Sequence, residues 1–364
     1  MPLRFKKVLI ADERFESAKF IDVNNNGTLD IVSGEWWYEG PDFKVRHRIG
    51  TVKTEGEYYD DFSTIPMDIN GNGLPDFITG GWWGENLRWR ENPGDPEKEW
   101  AEHVICKTGN VETTRAWDID GDGELEVIPN TPMANDIKIL KLKKDAKGKG
   151  IGEFCLHVIP MPEGKTQGHG LGCGDITGNG RLDIILANGW FEAPEDTFNG
   201  KWEWHDDFDL GSASIPVLVV DVKKDGLNDL IVGQSHAYGL DWWEQKLIDG
   251  KRTWTKHPID PFNSQYHDMM WIDIDGDGDP ELLTGIRYRA HCGNDPGSSD
   301  DVGIYYFKWT GEGFAKQIID FGPARAGTGL GIFFDTADLT GNGLPDILAP
   351  GKDGLYIFFN EGKL

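Results

Sequence analysis

Asp118-Ile-Asp-Gly-Asp-Gly-Glu-Leu-Glu126 is a short acidic turn, and six more copies of it lie along the chain. They read DVNNNGTLD from Asp22, DINGNGLPD from Asp68, DITGNGRLD from Asp175, DVKKDGLND from Asp221, DIDGDGDPE from Asp273 and DLTGNGLPD from Asp338. Successive copies are separated by 46 residues at the least, from Asp22 to Asp68, and by 65 at the most, from Asp273 to Asp338. Such a period indicates propeller blades or a solenoid. An apolar stretch such as SAKFI or MMWI precedes each turn, and a β-rich run ending in Gly, such as DIVSG or DLIVG, follows it. A third segment carries an aromatic residue and often an acid (Trp89-Arg90-Glu91, Trp242-Trp243-Glu244), and a fourth reads VRHRI, AEHVI, CLHVI or TKHPI. Four short strands in each of seven units predict an all-β chain, a seven-bladed β-propeller whose radial closure protects its sheet edges. FKKVLI, residues 5 to 10, matches the fourth-strand pattern but precedes the first turn, so it is expected to complete the last blade. Seven blades use up residues 1–364 as one propeller domain.

Composition agrees with strands and turns. Among 364 residues there are 48 Gly and 15 Trp, too much glycine for a helical bundle and too much apolar surface for disorder. The formal net charge of -26 repels phosphate backbones and anionic lipid, which excludes nucleic acid and membrane as expected partners. Cys106, Cys155, Cys173 and Cys292 form no CxxC pair and are expected to be free thiols. The first residues carry no apolar run of a secretory leader, so a cytoplasmic protein is expected, or a secreted one if a leader has been removed. Nothing in the sequence sets an oligomeric state.

The turns place oxygen-bearing side chains at positions 1, 3, 5 and 9 around a bend that Gly at position 6 permits, the donor spacing that hard cations take. The expected Ca2+ or Mg2+ ligands are Asp22, Asn24, Asn26 and Asp30 in the first turn and Asp68, Asn70, Asn72 and Asp76 in the second. In the third they are Asp118, Asp120, Asp122 and Glu126, and in the fourth Asp175, Asn179 and Asp183. The sixth offers Asp273, Asp275, Asp277 and Glu281, and the seventh Asp338, Asn342 and Asp346. The third and sixth carry the most carboxylates, whereas Lys223 makes the fifth the weakest. The plainer alternative is a turn whose Asp and Asn side chains bond local backbone amides.

Nine histidines divide by repeat position. His47, His103, His157, His205 and His257 occupy one place on the outer strands, which indicates packing. His169 and His267 each lie six residues before the first Asp of a turn, at the channel mouth, where other blades have Glu16, Phe62, Glu112, Ile215 and Ile332. His236 and His291 fall in loops between second and third strands of blades five and six. These four are expected to meet on the top face, opposite the acidic turns. Imidazoles from adjacent blades suit Zn2+ or a similar ion with an open position. His236, His267 and His291 are the candidate ligands, His169 the candidate base, and Tyr58 or Tyr288 the candidate acid. Trp82, Trp83, Arg115, Lys165, Arg287 and Tyr238 are the candidate substrate-binding residues.

The seven turns resemble those of FG-GAP/VCBS-type seven-bladed propellers. Three segments, GHGLGCGDITGNGRLDIILANGWFEAPE from Gly168, VVDVKKDGLNDLIVGQSHAYGLDWWEQ from Val219 and SQYHDMMWIDIDGDGDPELLTGIRYRAHCGNDPG from Ser264, resemble the propeller domain of the aldos-2-ulose dehydratase family. Fungal members of that family also carry cupin and lectin-like domains, for which these residues leave no room. The resemblance implies a carbon–oxygen lyase acting on a carbohydrate, by metal-assisted dehydration or β-elimination of a keto sugar. Two other readings stay open: a polysaccharide lyase in which Arg115, Lys165 and Arg287 neutralise a uronate carboxylate, and a non-catalytic carbohydrate-binding propeller.

Overall fold

Residues 2–363 are described by a computed structural model. Among them, seven four-stranded antiparallel sheets and one two-stranded ribbon hold all the named strands. The inner strands are Lys19–Ile21, Ile65–Met67, Thr113–Trp117, Leu171–Gly174, Leu218–Val220, Tyr266–Ile272 and Asp335–Ala337, one for each blade. Each leads through an acidic turn into the second strand. The outer strand of the last blade is Leu3–Ala11, paired antiparallel with Leu355–Lys363. The ring is therefore closed as the displaced fourth-strand pattern predicts. No helix among the described residues is long and apolar enough to cross a membrane.

Second strands such as Asp30–Ser33, Asp183–Leu186 and Glu281–Ile286 are buried along their whole length, because blades cover both of their faces. The apolar core accordingly lies between blades. Ile128, Ile139 and Ile184 join blades three and four, Leu283, Ile304 and Phe358 join six and seven, and Ile31, Leu348 and Ile357 join seven and one. Each fully buried aliphatic or aromatic side chain contributes about 1.5–3 kcal/mol. A blade alone would leave both its faces wet, so stability belongs to the ring.

In the acidic turns, side chains bond to backbone amides. The first Asp of every turn accepts the N–H of the glycine at position 6, from Gly27 on Asp22 at 2.8 Å to Gly343 on Asp338 at 2.8 Å. The acid at position 9 is buried, and in four blades it reaches two places at once, as Asp30 does to Val23 N–H and Gly40 N–H. Asp76 accepts Ile69 N–H at the start of its turn and Asn92 N–H beyond the third strand; Asp183 and Asp346 do the same in blades four and seven. Blades three and six carry Glu instead. Glu126 and Glu281 accept only the amide in the turn, while the other oxygen meets Lys141 at 3.0 Å or Lys308 at 2.9 Å from the third strand. The same ammonium groups pair with Asp120 and Asp122, and with Asp275 and Asp277. The two turns richest in carboxylates thus each hold a lysine among the oxygens that suit a divalent ion. Where the turn carries Asn70, the equivalent third-strand residue is Glu91, and Asn70 Nδ2 donates to it.

The outer-strand histidines pack as their repetition indicates. His47, His103, His205 and His257 stack on Trp37, Trp89, Trp190 and Trp242, with ring centroids 4.1–4.6 Å apart. Each also faces a third-strand glutamate, as His103 Nε2 faces Glu91 at 2.8 Å. His157, opposite Ile139 and with Lys141 in place of that glutamate, packs edge-on to Phe198.

Deleting residues 2–11 strips the edge of Leu355–Lys363. Melting is expected to fall by at least ~10 °C or lose cooperativity, several kcal/mol at roughly 2–4 °C each; an unchanged melt would refute closure by this strand. Replacing Lys308 by Ala leaves Asp275, Asp277 and buried Glu281 without their cation. Denaturant titration is expected to show a loss of about 1–3 kcal/mol that millimolar Ca2+ restores. Undiminished stability without Ca2+ would mean the lysine neutralises nothing.

Candidate metal centre and substrate cleft

Glu112 and His169 stand just before the inner strands of blades three and four, and His267 lies at the start of that of blade six. His236 comes from the loop after Asp229–Gly233 in blade five. One donor atom from each of these four lies within 4.8 Å of every other. The imidazoles of His169 and His236 are 4.5 Å apart at their centroids, and those of His169 and His267 5.2 Å. His236 stacks on His291 at 4.2 Å, so all four off-repeat histidines meet on the top face as the repeat analysis expects.

Hydrogen bonds outside the cluster decide which nitrogens face in. His169 Nδ1 donates to Ala213 O at 2.8 Å, and its Nε2 is buried 3.3 Å from Glu112 Oε1 without a hydrogen-bond partner. His236 Nδ1 is held by Asp295 at 2.7 Å, leaving Nε2 for a ligand. His267 Nε2 lies 3.2 Å from the same Glu112 oxygen, and its Nδ1 is buried without a partner. Burial opposes ionisation of Glu112, yet His169 and His267 together hold its carboxyl well below the ordinary carboxylate range. Burial likewise lowers His267 well below its ordinary value and His236 to about 4. Imidazole nitrogens around a carboxylate, one of them buried without a hydrogen-bond partner, are a donor set that fits Zn2+ or a similar ion. The carboxylate and carbonyl behind His236 and His169 are the outer partners that fix ligand tautomers.

Next to the cluster is a cavity of about 80 Å3 lined by Tyr58, Phe62, Trp82, Trp83, Glu112, Arg287 and His291. Trp82 and Trp83 thus border the cavity beside the histidine cluster. The Tyr58 hydroxyl is buried without a partner, and burial raises its pKa. His291 Nδ1 is held by Asp295 at 2.8 Å. A larger hollow of about 750 Å3, between blades three and four, is lined by His157, Trp202 and Trp204 and holds none of the off-repeat histidines.

Several expected roles change with placement. His169 joins Glu112, His236 and His267 in one group of possible metal donors, and His236 and His291 form a second such group with Asp295. Arg115 lies inside the channel, on the inner strand of blade three. It pairs with Asp268 at 2.7 Å, donates to Ile215 O and Ile332 O, and packs over Phe333, so its charge is spent within the fold. Arg287 lines the cavity, but Glu16 holds it through two bonds of 2.7 and 3.1 Å. Lys165 lies over Trp204 beside Asp206, away from the histidines. Tyr238 donates to Asp300 at 2.6 Å and ties down the long loop of blade six, and Tyr288 lines a different hollow. Sequence reasoning missed Glu112 and Asp295. Glu112 had a signal: it occupies the same place relative to its turn as His169 and His267 do to theirs. Asp295 had none, because it sits in a loop with no counterpart in other blades.

Residues 68–128, from the second turn into blade three, match the family model described as an FG-GAP-like repeat. No curated protein matches the chain, so the dehydratase resemblance rests on its three sequence segments alone. Among solved structures, a chain from the crystal structure of BBS1N in complex with ARL6DN, soaked with lead, is 11% identical, with 98% of this chain and 96% of that one covered and a TM-score of 0.55. The rhamnogalacturonan lyase YesW is also 11% identical, with 99% of this chain and 73% of that one covered and a TM-score of 0.52. At such identity the likeness is one of fold. The protein is a seven-bladed β-propeller that carries an FG-GAP-like repeat.

Proposed function

We propose that the protein is a metal-dependent carbon–oxygen lyase acting on a carbohydrate. The observation that carries this reading is the meeting of Glu112, His169, His236 and His267, with the His169 Nε2 buried and without a hydrogen-bond partner, beside an aromatic-lined cavity. The fold's occurrence in a rhamnogalacturonan lyase, and the three dehydratase-like segments, support the substrate class.

Glu112, His169, His236 and His267 would hold a divalent ion, which would supply an electrophile for a carbonyl oxygen and so acidify hydrogen on the neighbouring carbon. The sugar ring lies against Trp82 and Trp83. His291, oriented by Asp295 in the manner of a base and its orienting acid, takes the proton from that carbon through Nε2. Tyr58, whose raised pKa keeps its proton on, gives it to the departing β-oxygen. A carbon–hydrogen and a carbon–oxygen bond break, a carbon–carbon double bond forms, and the products are an enone and water or an alcohol. Tyr58 regains its proton from His291 through solvent.

Metal analysis of the purified protein is expected to find about one top-face Zn2+ or similar ion per chain, lost in His169→Ala and His267→Ala and kept in His103→Ala. Retention of that metal in both site variants would place it elsewhere. Incubation of metal-loaded protein with 1,5-anhydrofructose or a 3-keto-glycoside is expected to yield an ultraviolet-absorbing enone. His291→Ala is expected to lower turnover at least ~100-fold while the metal stays bound, and Tyr58→Phe at least ~10-fold. Carbohydrate binding without enone from any keto sugar or uronate would instead establish a binding propeller.

A further inference from the structure

A second top-face cavity, of about 250 Å3, is lined by Arg14, Glu57, Tyr288, Arg289, Arg325 and Lys352. Tyr58 links it to the aromatic cavity: its ring lines that cavity and lies 3.7 Å from Lys352 Nζ. Four cationic side chains thus surround one hollow in a chain of formal net charge -26. Their carboxylate partners do not balance them. Glu57 is engaged by Arg289 through two bonds, of 2.9 and 2.6 Å. Arg325 has only Asp12, at 3.5 Å and with both side chains exposed, a pair worth little. Arg14 makes no ion pair among the described residues. Lys352 is buried, donates to Arg289 O at 2.9 Å, and lies 3.8 Å from Glu16, which Arg287 already holds.

The backbone is strained at the same place. Arg289 and Arg325 have φ of 50° and 74°, and His291 and Cys292, which follow Arg289, also have positive φ. A positive φ at a non-glycine residue is a strain tolerated where a side chain must be held in position. Guanidinium forks match the paired oxygens of a carboxylate or a phosphate ester, and bringing such a group here relieves the repulsion among the cations.

We propose that this cavity is an anion subsite that takes a carboxylate or phosphate ester of the saccharide lying against Trp82 and Trp83, so that the substrate is an acidic sugar or acidic glycan. The placement of the sugar rests on the lyase reading; the anion site itself does not. It also replaces the expected uronate contacts of Arg115 and Arg287, whose charges are committed within the fold.

The test is binding to the full chain after removal of metal by a chelator, followed by titration calorimetry. The probes are a glucuronate-containing oligosaccharide, its neutral glucose counterpart, and glucose 6-phosphate. The acidic probe is expected to bind about tenfold or more tighter than the neutral one, with the difference shrinking in roughly 0.5 M salt. The double variant Arg14→Ala/Arg325→Ala, at two exposed positions, is expected to melt like the wild type and to lose the difference while keeping neutral binding. A response to glucuronate identifies the anion as carboxylate, and one to glucose 6-phosphate alone identifies it as phosphate ester. Equal binding of acidic and neutral probes, or an undiminished preference in the double variant, would overturn the proposal. Since neither metal nor turnover enters the measurement, a failed lyase assay leaves this result standing, and a failed binding test leaves a lyase for neutral sugars.

Discussion

In blades one, two, four and seven a buried carboxylate at the end of the acidic turn joins the start of that turn to the chain that leaves the third strand, and the shape of the blade follows from that join. In Asp76, Asp183 and Asp346 one side chain accepts both amides, which fixes the inner strand against the third. In blade five Asp229 makes only the second bond, to Gln245. Burial pushes Asp76, Asp183 and Asp229 up to about 6, so ionising them withdraws stability as pH rises through that value, and the amides that face them offset part of this cost. The longer glutamates of blades three and six spare an oxygen, which a lysine of the third strand takes up. In these two blades the acids of the turn thus meet a cation of their own blade, although the molecule as a whole is strongly acidic.

With the blades fixed on their lower side, the upper side is free to vary. Loops there contribute little core, and this is where the repeat is broken: by Glu112 and His169 before two inner strands, by His236 and by the long loop carrying His291 and Asp295. Arg115 supports the site from below. Its pairing with Asp268 crosses the channel from blade three to blade six, and its bonds to Ile215 and Ile332 add blades five and seven. Both groups are buried, the arginine lowered and the aspartate pushed up to about 6 by that burial, so separating them would leave an uncompensated charge in the channel.

Blade number, strand count and the closing strand were legible because they repeat, and a repeat is read from spacing alone. The meeting of four histidines was legible for the converse reason, since residues that break a repeat are conspicuous and the repeat gives their height in the channel. What a side chain does with its other end was not legible. Arg115 and Arg287 look like free cations in the sequence, but their partners, Asp268 and Glu16, lie at distant chain positions that only the closed ring brings close. The orientation of His169 and of His291 likewise depends on a backbone carbonyl at Ala213 and on Asp295, neither marked by spacing.

The pairing of Leu3–Ala11 with Leu355–Lys363 also bears on how the protein is made. On a ribosome adding roughly 5–20 residues each second, the first of these strands waits on the order of 20–70 s before the second emerges. During that interval the early strand is an unpaired edge able to join any other exposed sheet. Its alternation of Lys6, Lys7 and Arg4 with apolar residues puts charge on an edge that would otherwise invite such pairing. The blades between can stack as they appear, but the last interface forms only when both ends of this stretch are present. The ring therefore closes last through the earliest of its described strands.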